Sequence, residues 1–218
     1  MNRDDPCSGD ARVAMSAPAA AGRAANDDDA IVALDATGEP YPVDKWRAHA
    51  ENLPHLAVSV FVFSAGRLLL QRRALAKYHS GGLWANTCCT HPRWRESPAH
   101  CARRRLREEL GIDVAVRAFG RIDYAAPVGT SSPGPGRSAV PLFENESVHC
   151  FVAHVDERVL HLDPDPLEVH EWRWADLPAL ARDARRRPQR YTAWLRIYLA
   201  RHLMMLEHVA RPADIMTM

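Results

Sequence analysis

The sequence predicts an α+β domain, with strands and helices mixed along one chain. Val, Phe and Ala fill the segment Leu56–Phe63, which predicts a buried strand that turns at residues 64–66 and returns through residues 67–71. A helix is predicted from Ser97, a capping residue followed by Pro, to the residue before Gly111, a normal C-terminal stop. A hairpin and a well-capped helix in one short chain favour strands mixed with a few helices.

The segments before this helix are short. Residues 31–34 are β-prone, residues 35–38 supply a turn, and residues 43–51 predict a short helix. Gly81–Gly82 interrupts the chain before Trp84. We therefore expect one strand and one short helix to precede the hairpin.

Beyond the capped helix, the patterns again change between strand and helix. Strands are predicted at residues 112–116, 149–155 and 171–174. Ser, Gly and Pro between residues 127 and 141 predict a flexible loop. Helices are predicted from Ala175 onward and from Tyr191 to Val209, the second with apolar residues at helical spacing.

Length and composition predict one folded domain. The 218 residues suffice for a single medium domain with its own core. Residues 1–29 are expected to form a disordered leader, because their acidic residues do not suit a transit peptide and no secretory signal is visible. We expect the domain to span residues 30–210 and residues 211–218 to form a tail.

Charge, hydropathy and cysteine usage limit the function. The net charge is +1, so we expect no nucleic-acid partner, and no apolar run is long enough to cross a bilayer. The chain has five cysteines, an odd number, and no CxxC pair. Free thiols in a reducing cytoplasm are therefore expected, rather than disulfides or a thiolate zinc site.

Three histidines and two glutamates occur in settings that suit a metal site, namely His49, His55, His91, Glu144 and Glu146. The two glutamates are two positions apart, so both carboxylates can point the same way on an extended chain, and Cys89 and His91 have the same relation. Imidazole and carboxylate ligands would suit Zn²⁺ or Mn²⁺, with Mg²⁺ as a further option. Taken singly, such residues are more often core or surface residues that bind nothing.

The capped helix carries charges of both signs. Oppositely charged side chains lie one turn apart, within reach of ion pairs, at Arg104, Arg105, Glu108 and Glu109. One interpretation is a surface helix with ion pairs. The other is a helix that offers carboxylates to a metal and an arginine to a phosphate.

These charges resemble the Nudix box, in which a Gly is followed by a Glu and later by an Arg-Glu pair, two further Glu and a Gly. Here Thr90 stands at the first Gly, Glu96 follows, and residues 104–112 continue the pattern. Arg105 replaces the first Glu of the Arg-Glu pair. Because a hydrolase of this superfamily gathers several Mg²⁺ ions with its glutamates, the change favours binding a diphosphate over hydrolysing it.

The altered box resembles that of the type I isopentenyl-diphosphate isomerases. Residues 70–84 look like that family's substrate-binding segment, residues 86–92 like its cysteine motif, and residues 144–146 like its second catalytic motif. The resemblance runs from about Ile31 to Trp194. It implies a Nudix-like mixed β-sheet core flanked by helices, and an isomerase that interconverts isopentenyl and dimethylallyl diphosphate by a 1,3-proton shift in isoprenoid biosynthesis.

The resemblance also implies a role for each matching residue. One divalent metal, Mn²⁺, Zn²⁺ or Mg²⁺, is expected to be bound by His49, His55, His91, Glu144 and Glu146. The expected catalytic residues are Cys89, Glu146 and Tyr124. A Mg²⁺ ion that bridges to the diphosphate is assigned to Glu109. Substrate contacts are assigned to Arg73, Lys77, Arg105 and Trp194, the last over the reacting carbons or, alternatively, merely in the core.

Two other functions stay open from the sequence alone. The first is a Nudix-type hydrolase of a nucleoside or isoprenoid diphosphate. The second is a non-catalytic protein that binds a diphosphate or a metal. The expected partner is a small-molecule diphosphate, bound by a cytoplasmic monomer or weak homodimer without nucleic acid or membrane.

Overall fold

The computed structural model describes residues 30–130 and 139–211. In chain order the strands are β1 (Ala30–Leu34), β2 (Pro40–Asp44), β3 (His55–Ser64), β4 (Arg67–Arg73), β5 (Trp84–Ala85), β6 (Cys88–Thr90), β7 (Arg117–Thr130), β8 (Pro141–His154) and β9 (Val169–Asp176). The helices are α1 (Lys45–Ala50), α2 (Pro98–Leu110), α3 (Leu177–Arg186), α4 (Ala193–Arg201) and α5 (Leu203–Val209). The predicted leader and residues 212–218 of the predicted tail lie outside the described residues.

The strands form one mixed sheet centred on β3. β3 runs parallel to β8, in register from His55 opposite Glu146 to Phe63 opposite His154. β6 pairs antiparallel with β3, β7 with β8, and β9 with β4. A mixed sheet with helices packed on its faces confirms the α+β prediction.

The predicted hairpin forms only at its turn. β3 and β4 pair at two positions, Phe63 with Leu68 and Ser64 with Arg67. Beyond these pairs, β6 lies beside β3 and β5 lies beside β4. Residues 84–90 therefore fill a wedge between β3 and β4, and the candidate site lies at this wedge.

Alternate residues of β3 belong to two different cores. The core shared with α2 takes Val58, Val60 and Val62. The core on the opposite face, shared with α3, α4 and α5, takes Ala57, Phe61 and Phe63. Full burial of each large apolar side chain stabilises the fold by roughly 1.5–3 kcal/mol. His55 and Ser59 share the second face by the period of two, so polar side chains can gather there within an apolar frame.

The α2 helix begins and ends as predicted. The Ser97 side chain accepts a hydrogen bond from the His100 backbone N–H at 3.3 Å. Gly111 closes the helix with a φ of 69°, a left-handed conformation that glycine adopts most easily. A Cβ at Gly111 would lie 2.9 Å from the Asp163 Cβ, so the segment packed on this helix end requires glycine.

Two element predictions are wrong in part, and one long strand was not predicted. Residues 112–116 form no strand, because Ile112 is buried beside α2 and the segment pairs with no strand of the described residues. The strand β7 was missed, since its mostly exposed face carries Gly, Ala, Pro and Arg, which give a weak β signal. The last predicted helix is two helices, because His202 leaves helical geometry between α4 and α5, with φ −128° and ψ 18°.

The loop predicted at residues 127–141 is wrong at both of its ends. β7 extends to Thr130 and β8 begins at Pro141, and residues 131–138 lie outside the described residues. The strand predicted at residues 171–174 is confirmed within β9. None of the helices in the described ranges is long and apolar enough to cross a membrane.

Candidate active site

The register of the sheet brings the predicted site residues together around β3. Cys89 lies opposite Ser59 on one side of the strand, and Glu146 lies opposite His55 on the other. Since positions 55, 57 and 59 share one face, Cys89, His91 and Glu146 also point to that face. Residues that are far apart in the chain thus meet at the wedge.

Two histidines are oriented by backbone carbonyls. The Nδ1–H of His49 donates to the Phe143 carbonyl at 2.8 Å, and that of His55 donates to the Leu53 carbonyl at 2.7 Å. Because a carbonyl only accepts, both rings carry their proton on Nδ1 and leave a lone pair on Nε2. Both Nε2 atoms are buried and lack a hydrogen-bond partner among the described residues. This is the tautomer that metal-binding histidines adopt.

The remaining predicted ligands complete a compact polar cluster. One ligand atom from each of His49, His55, His91 and Glu144 lies within 4.8 Å of the others. The Oε1 atom of Glu146 lies 2.9 Å from His91 Nε2 and 3.7 Å from His55 Nε2. These nitrogen and oxygen donors, with two unpartnered imidazole nitrogens, fit a divalent cation.

The pKa values of the Glu144 and Glu146 carboxylates shift in opposite directions. Burial first, and then repulsion from Glu146, raises the pKa of Glu144 well above its ordinary range. Burial also opposes ionisation of Glu146, but the contacts with His55 and His91 outweigh it and hold its pKa well below the ordinary range. The histidine contacts thus favour the ionised form of Glu146, whereas burial favours the protonated form of Glu144. Burial lowers the pKa of His49 to about 4, with repulsion from His55 as the next cause.

Tyr124 and Cys89 flank the cluster in their uncharged forms. The Tyr124 hydroxyl donates to Glu146 Oε2 at 2.5 Å, and burial raises its pKa well above the ordinary value. Burial likewise raises the pKa of the Cys89 thiol. The site therefore presents an ionised carboxylate with a bound phenol, and a protonated thiol.

A cavity of about 220 Å³ opens beside the cluster and is rich in cations. Its wall includes the three predicted phosphate contacts and two cations that the sequence did not single out, namely Arg73, Lys77, Arg105, Lys45 and Arg93. Cys89 and His91 line the same cavity. A small anion bound here would lie next to the thiol and the cluster of histidines and glutamates.

Two acidic residues hold cations in this wall. Glu168 pairs with Lys77 and lies 3.1 Å from an Arg105 Nη2 atom. Glu109, whose side chain is only 4% exposed, accepts from the same Nη2 atom at 2.8 Å and from Gln71 Nε2 at 2.8 Å. The ion pairs predicted along α2 are thus present, and Glu109 lies in the cavity wall.

Trp194 lies behind the cavity. The Arg73 guanidinium lies 5.5 Å from the centre of its indole ring, and the His79 ring lies 6.2 Å from it. The indole is 3% exposed and belongs to the core shared with α3, α4 and α5. Its Nε1 atom is buried without a hydrogen-bond partner in the described part of the chain.

Comparison with known proteins identifies the family of this chain. The NUDIX domain model matches residues 53–195. An isopentenyl-diphosphate Delta-isomerase of Cereibacter sphaeroides is 52% identical over 76% of this chain and 88% of its own length. One of Dinoroseobacter shibae is 53% identical over 74% of this chain and 86% of its own length. The chain belongs to the NUDIX family, among the isopentenyl-diphosphate Delta-isomerases.

Solved structures confirm the NUDIX fold. A crystal structure of a Deinococcus radiodurans protein superposes with a TM-score of 0.58 at 12% identity, over 84% of this chain and 99% of that one. A Nudix hydrolase from M. smegmatis gives a TM-score of 0.51 at 18% identity, over 84% of this chain and 98% of that one. The residues that resemble the Nudix box lie on and just before α2. Glu96, just before it, accepts two hydrogen bonds from Arg104, each of 2.7 Å.

Several residues of this candidate site were not predicted from the sequence. Lys45 could have been found, because it lies four positions before His49 and hence on the same helical face. His79 is 7% exposed, and its Nε2 lies 3.7 Å from Glu144 Oε1. Glu168 gave no local signal, since its two partners come from distant elements.

Proposed function

We propose that this protein is an isomerase that interconverts isopentenyl diphosphate and dimethylallyl diphosphate. One observation carries the proposal: the Cys89 thiol, the Glu146 carboxylate and a cation-lined cavity meet at one wedge of the sheet. The names of the relatives that are about half identical support the same reaction. The product would serve isoprenoid biosynthesis.

The diphosphate would be bound by the cations of the cavity wall. Arg73, Lys77 and Arg105 are the proposed contacts, and Lys45 adds a fourth positive charge. Charge-assisted hydrogen bonds of this kind are about twice as strong as neutral ones. Glu168 and Glu109 keep two of these side chains in place through ion pairs.

Cys89, Glu146 and Tyr124 would move the protons. In the reaction a proton is added to the terminal alkene carbon and another is removed from the allylic carbon, so the double bond moves without a net change in atoms. Such a shift needs one group that holds a proton and one that can accept it, both within reach of the substrate. The Cys89 thiol and the Glu146 carboxylate with its Tyr124 partner supply that pair.

Positive charge develops on the carbon skeleton when the alkene is protonated. We propose that the Trp194 indole stabilises this charge through its ring face, an effect of roughly 0.5–2 kcal/mol. Arg73 lies 5.5 Å from the centre of this ring and also lines the cavity, so it would hold the diphosphate end on the cavity side of the indole.

Two kinds of divalent cation belong to the proposal. His49, His55, His91, Glu144 and Glu146 would hold one ion, Mn²⁺, Zn²⁺ or Mg²⁺, which would add positive charge beside Glu146 and fix its orientation. Glu109 would hold Mg²⁺ and so help to neutralise the diphosphate. The unpartnered Nε2 atoms of His49 and His55 support the first assignment.

The proposal is tested by proton NMR of isopentenyl diphosphate in D₂O with the purified protein and Mg²⁺. We expect conversion to dimethylallyl diphosphate with uptake of deuterium. Cys89→Ala should abolish turnover, while Cys101→Ala, which removes another buried thiol, should not. Phosphate release without isomerisation would instead identify a hydrolase, and tight binding without exchange would identify a binding protein.

A further inference from the structure

A row of hydrogen bonds runs through Cys89. The Cys89 Sγ atom lies 3.0 Å from Asn86 Oδ1 and 2.9 Å from Ser59 Oγ. Ser59 Oγ in turn lies 2.8 Å from the Tyr198 hydroxyl. Ser59 is 1% exposed, and Asn86 and Tyr198 are fully buried, so the three groups that bond to the sulfur or to each other are shielded from water.

Asn86 fixes where the thiol proton lies. Its Nδ2 atom donates to the carbonyls of Val60 and Cys88, both at 3.1 Å. Carbonyl oxygens only accept, so the amide cannot be flipped, and the oxygen Oδ1 must face Cys89. Since Oδ1 also only accepts, the Cys89 S–H donates to it.

The direction of the remaining hydrogen bonds follows. With its own proton committed to Asn86, the sulfur can only accept from Ser59, so the Ser59 hydroxyl donates to Cys89. Ser59 Oγ is then free to accept, and the Tyr198 hydroxyl donates to it. The row thus runs from Tyr198 through Ser59 to Cys89 and ends at Asn86, and each bond polarises the next.

We propose that Ser59 and Tyr198 are positioning residues that hold the Cys89 sulfur in place for the proton shift. This inference rests on the proposed isomerase function. The covalent Cβ–Sγ bond, Asn86 and Ser59 fix the sulfur from three directions, and Cys89 still lines the cavity on the remaining side. Within this row only Cys89 exchanges a proton with the substrate, and the Ser59 and Tyr198 hydroxyls keep their own protons throughout.

Tyr198→Phe is the sharpest test, because it removes only the hydroxyl. The ring can still pack edge-on against Phe61, at 5.2 Å between ring centres. We expect kcat to fall about fivefold to tenfold, the effect of losing one buried hydrogen bond, with KM for isopentenyl diphosphate unchanged. Ser59→Ala should lower kcat at least as much, and Ser59→Thr, which restores a hydroxyl, should recover it.

Tyr191→Phe is the matched control. Tyr191 is also a buried tyrosine of the same core, 1% exposed, and its hydroxyl donates to Asp183 at 2.5 Å, away from Cys89. We expect its kcat to equal that of the wild type. An equal loss of kcat in both Phe variants would overturn the positioning role and leave a general effect of buried hydroxyls.

A spectroscopic readout separates this inference from the proposed function. The infrared S–H stretching band of Cys89 can be assigned by its loss in Cys89→Ala. Tyr198→Phe should move the band to higher frequency, because the sulfur loses a polarising donor row. An unmoved band would overturn the hydrogen-bond row, and a moved band with unchanged kcat would overturn the positioning role. If the wild type failed to isomerise the substrate, both the proposed function and the positioning role would be refuted. The frequency of the S–H band would still test the hydrogen bonds to Cys89.

Discussion

Replacing Lys45 by Met is expected to stabilise the free protein while weakening its hold on a diphosphate. Lys45 is the first residue of α1 and lines the cavity. Burial first, and then repulsion from Arg73, Arg105 and Lys77, lowers its pKa from the ordinary 10.5 to about 8. At about 1.4 kcal/mol per pH unit, charging this lysine at pH 7 costs ~3 kcal/mol of folding free energy. Met keeps most of the apolar stem and removes that cost.

The stabilisation depends on pH in a defined direction. The pKa of Lys45 is 10.5 in the unfolded chain and about 8 in the folded one. Between these pH values the unfolded state binds more protons, so the wild type gains stability as the pH rises. The advantage of Met should therefore fall from ~3 kcal/mol at pH 7 to ~1.5 kcal/mol at pH 9.5.

Urea unfolding of the wild type and Lys45→Met at both pH values measures this difference. Lys77→Met is the control, because Lys77 pairs with Glu168 and its removal should not stabilise the protein. Calorimetry with inorganic pyrophosphate should show weaker binding by Lys45→Met. A variant no more stable than the wild type at pH 7, or with an equal advantage at both pH values, would refute the reasoning.

Three further predictions follow from single contacts. Tyr124→Phe removes the donor to Glu146 Oε2. In steady-state isomerisation kinetics it should lower kcat by roughly 10²-fold with little change in KM. An unchanged kcat would exclude Tyr124 from proton transfer. His55→Ala removes one unpartnered ligand nitrogen, so elemental analysis of the purified variant should find little divalent metal. Chelation should likewise remove the metal from the wild type. Full metal content in the variant would contradict the ligand set. Gly111→Ala forces a side chain into a left-handed position 2.9 Å from the Asp163 Cβ and should lower the free energy of unfolding by about 1–3 kcal/mol in urea, whereas Ala at Gly66, where nothing lies within 4 Å, should cost less.

The fold could be predicted where local signals agreed with tertiary pairing. The α2 helix carried its own cap and stop, and β3 carried a continuous apolar run. β7 was missed because its partner β8, rather than its own residues, makes it a strand. Residues 112–116 were wrongly predicted as a strand from their apolar character. The segment pairs with no strand of the described residues and is therefore irregular.

The sequence predicted the candidate site only as separate motifs. Each motif could be located, but their meeting depends on the parallel register that sets His55 beside Glu146. Glu168 could not be predicted, because its role comes from Lys77 and Arg105, which reach it from different elements. Tyr198 likewise became relevant only when α4 packed its hydroxyl against Ser59.

The hydrogen bond between His49 and Phe143 spans 94 residues of chain, and the proposed metal ligands lie at both ends of that span. A cation held by His49 and Glu144 together would act as a reversible cross-link that closes a long loop. Closing a loop of about 100 residues by a covalent bond removes on the order of 4–5 kcal/mol of chain entropy from the unfolded state. Loss of the cation would then lower the free energy of unfolding as well as the turnover number.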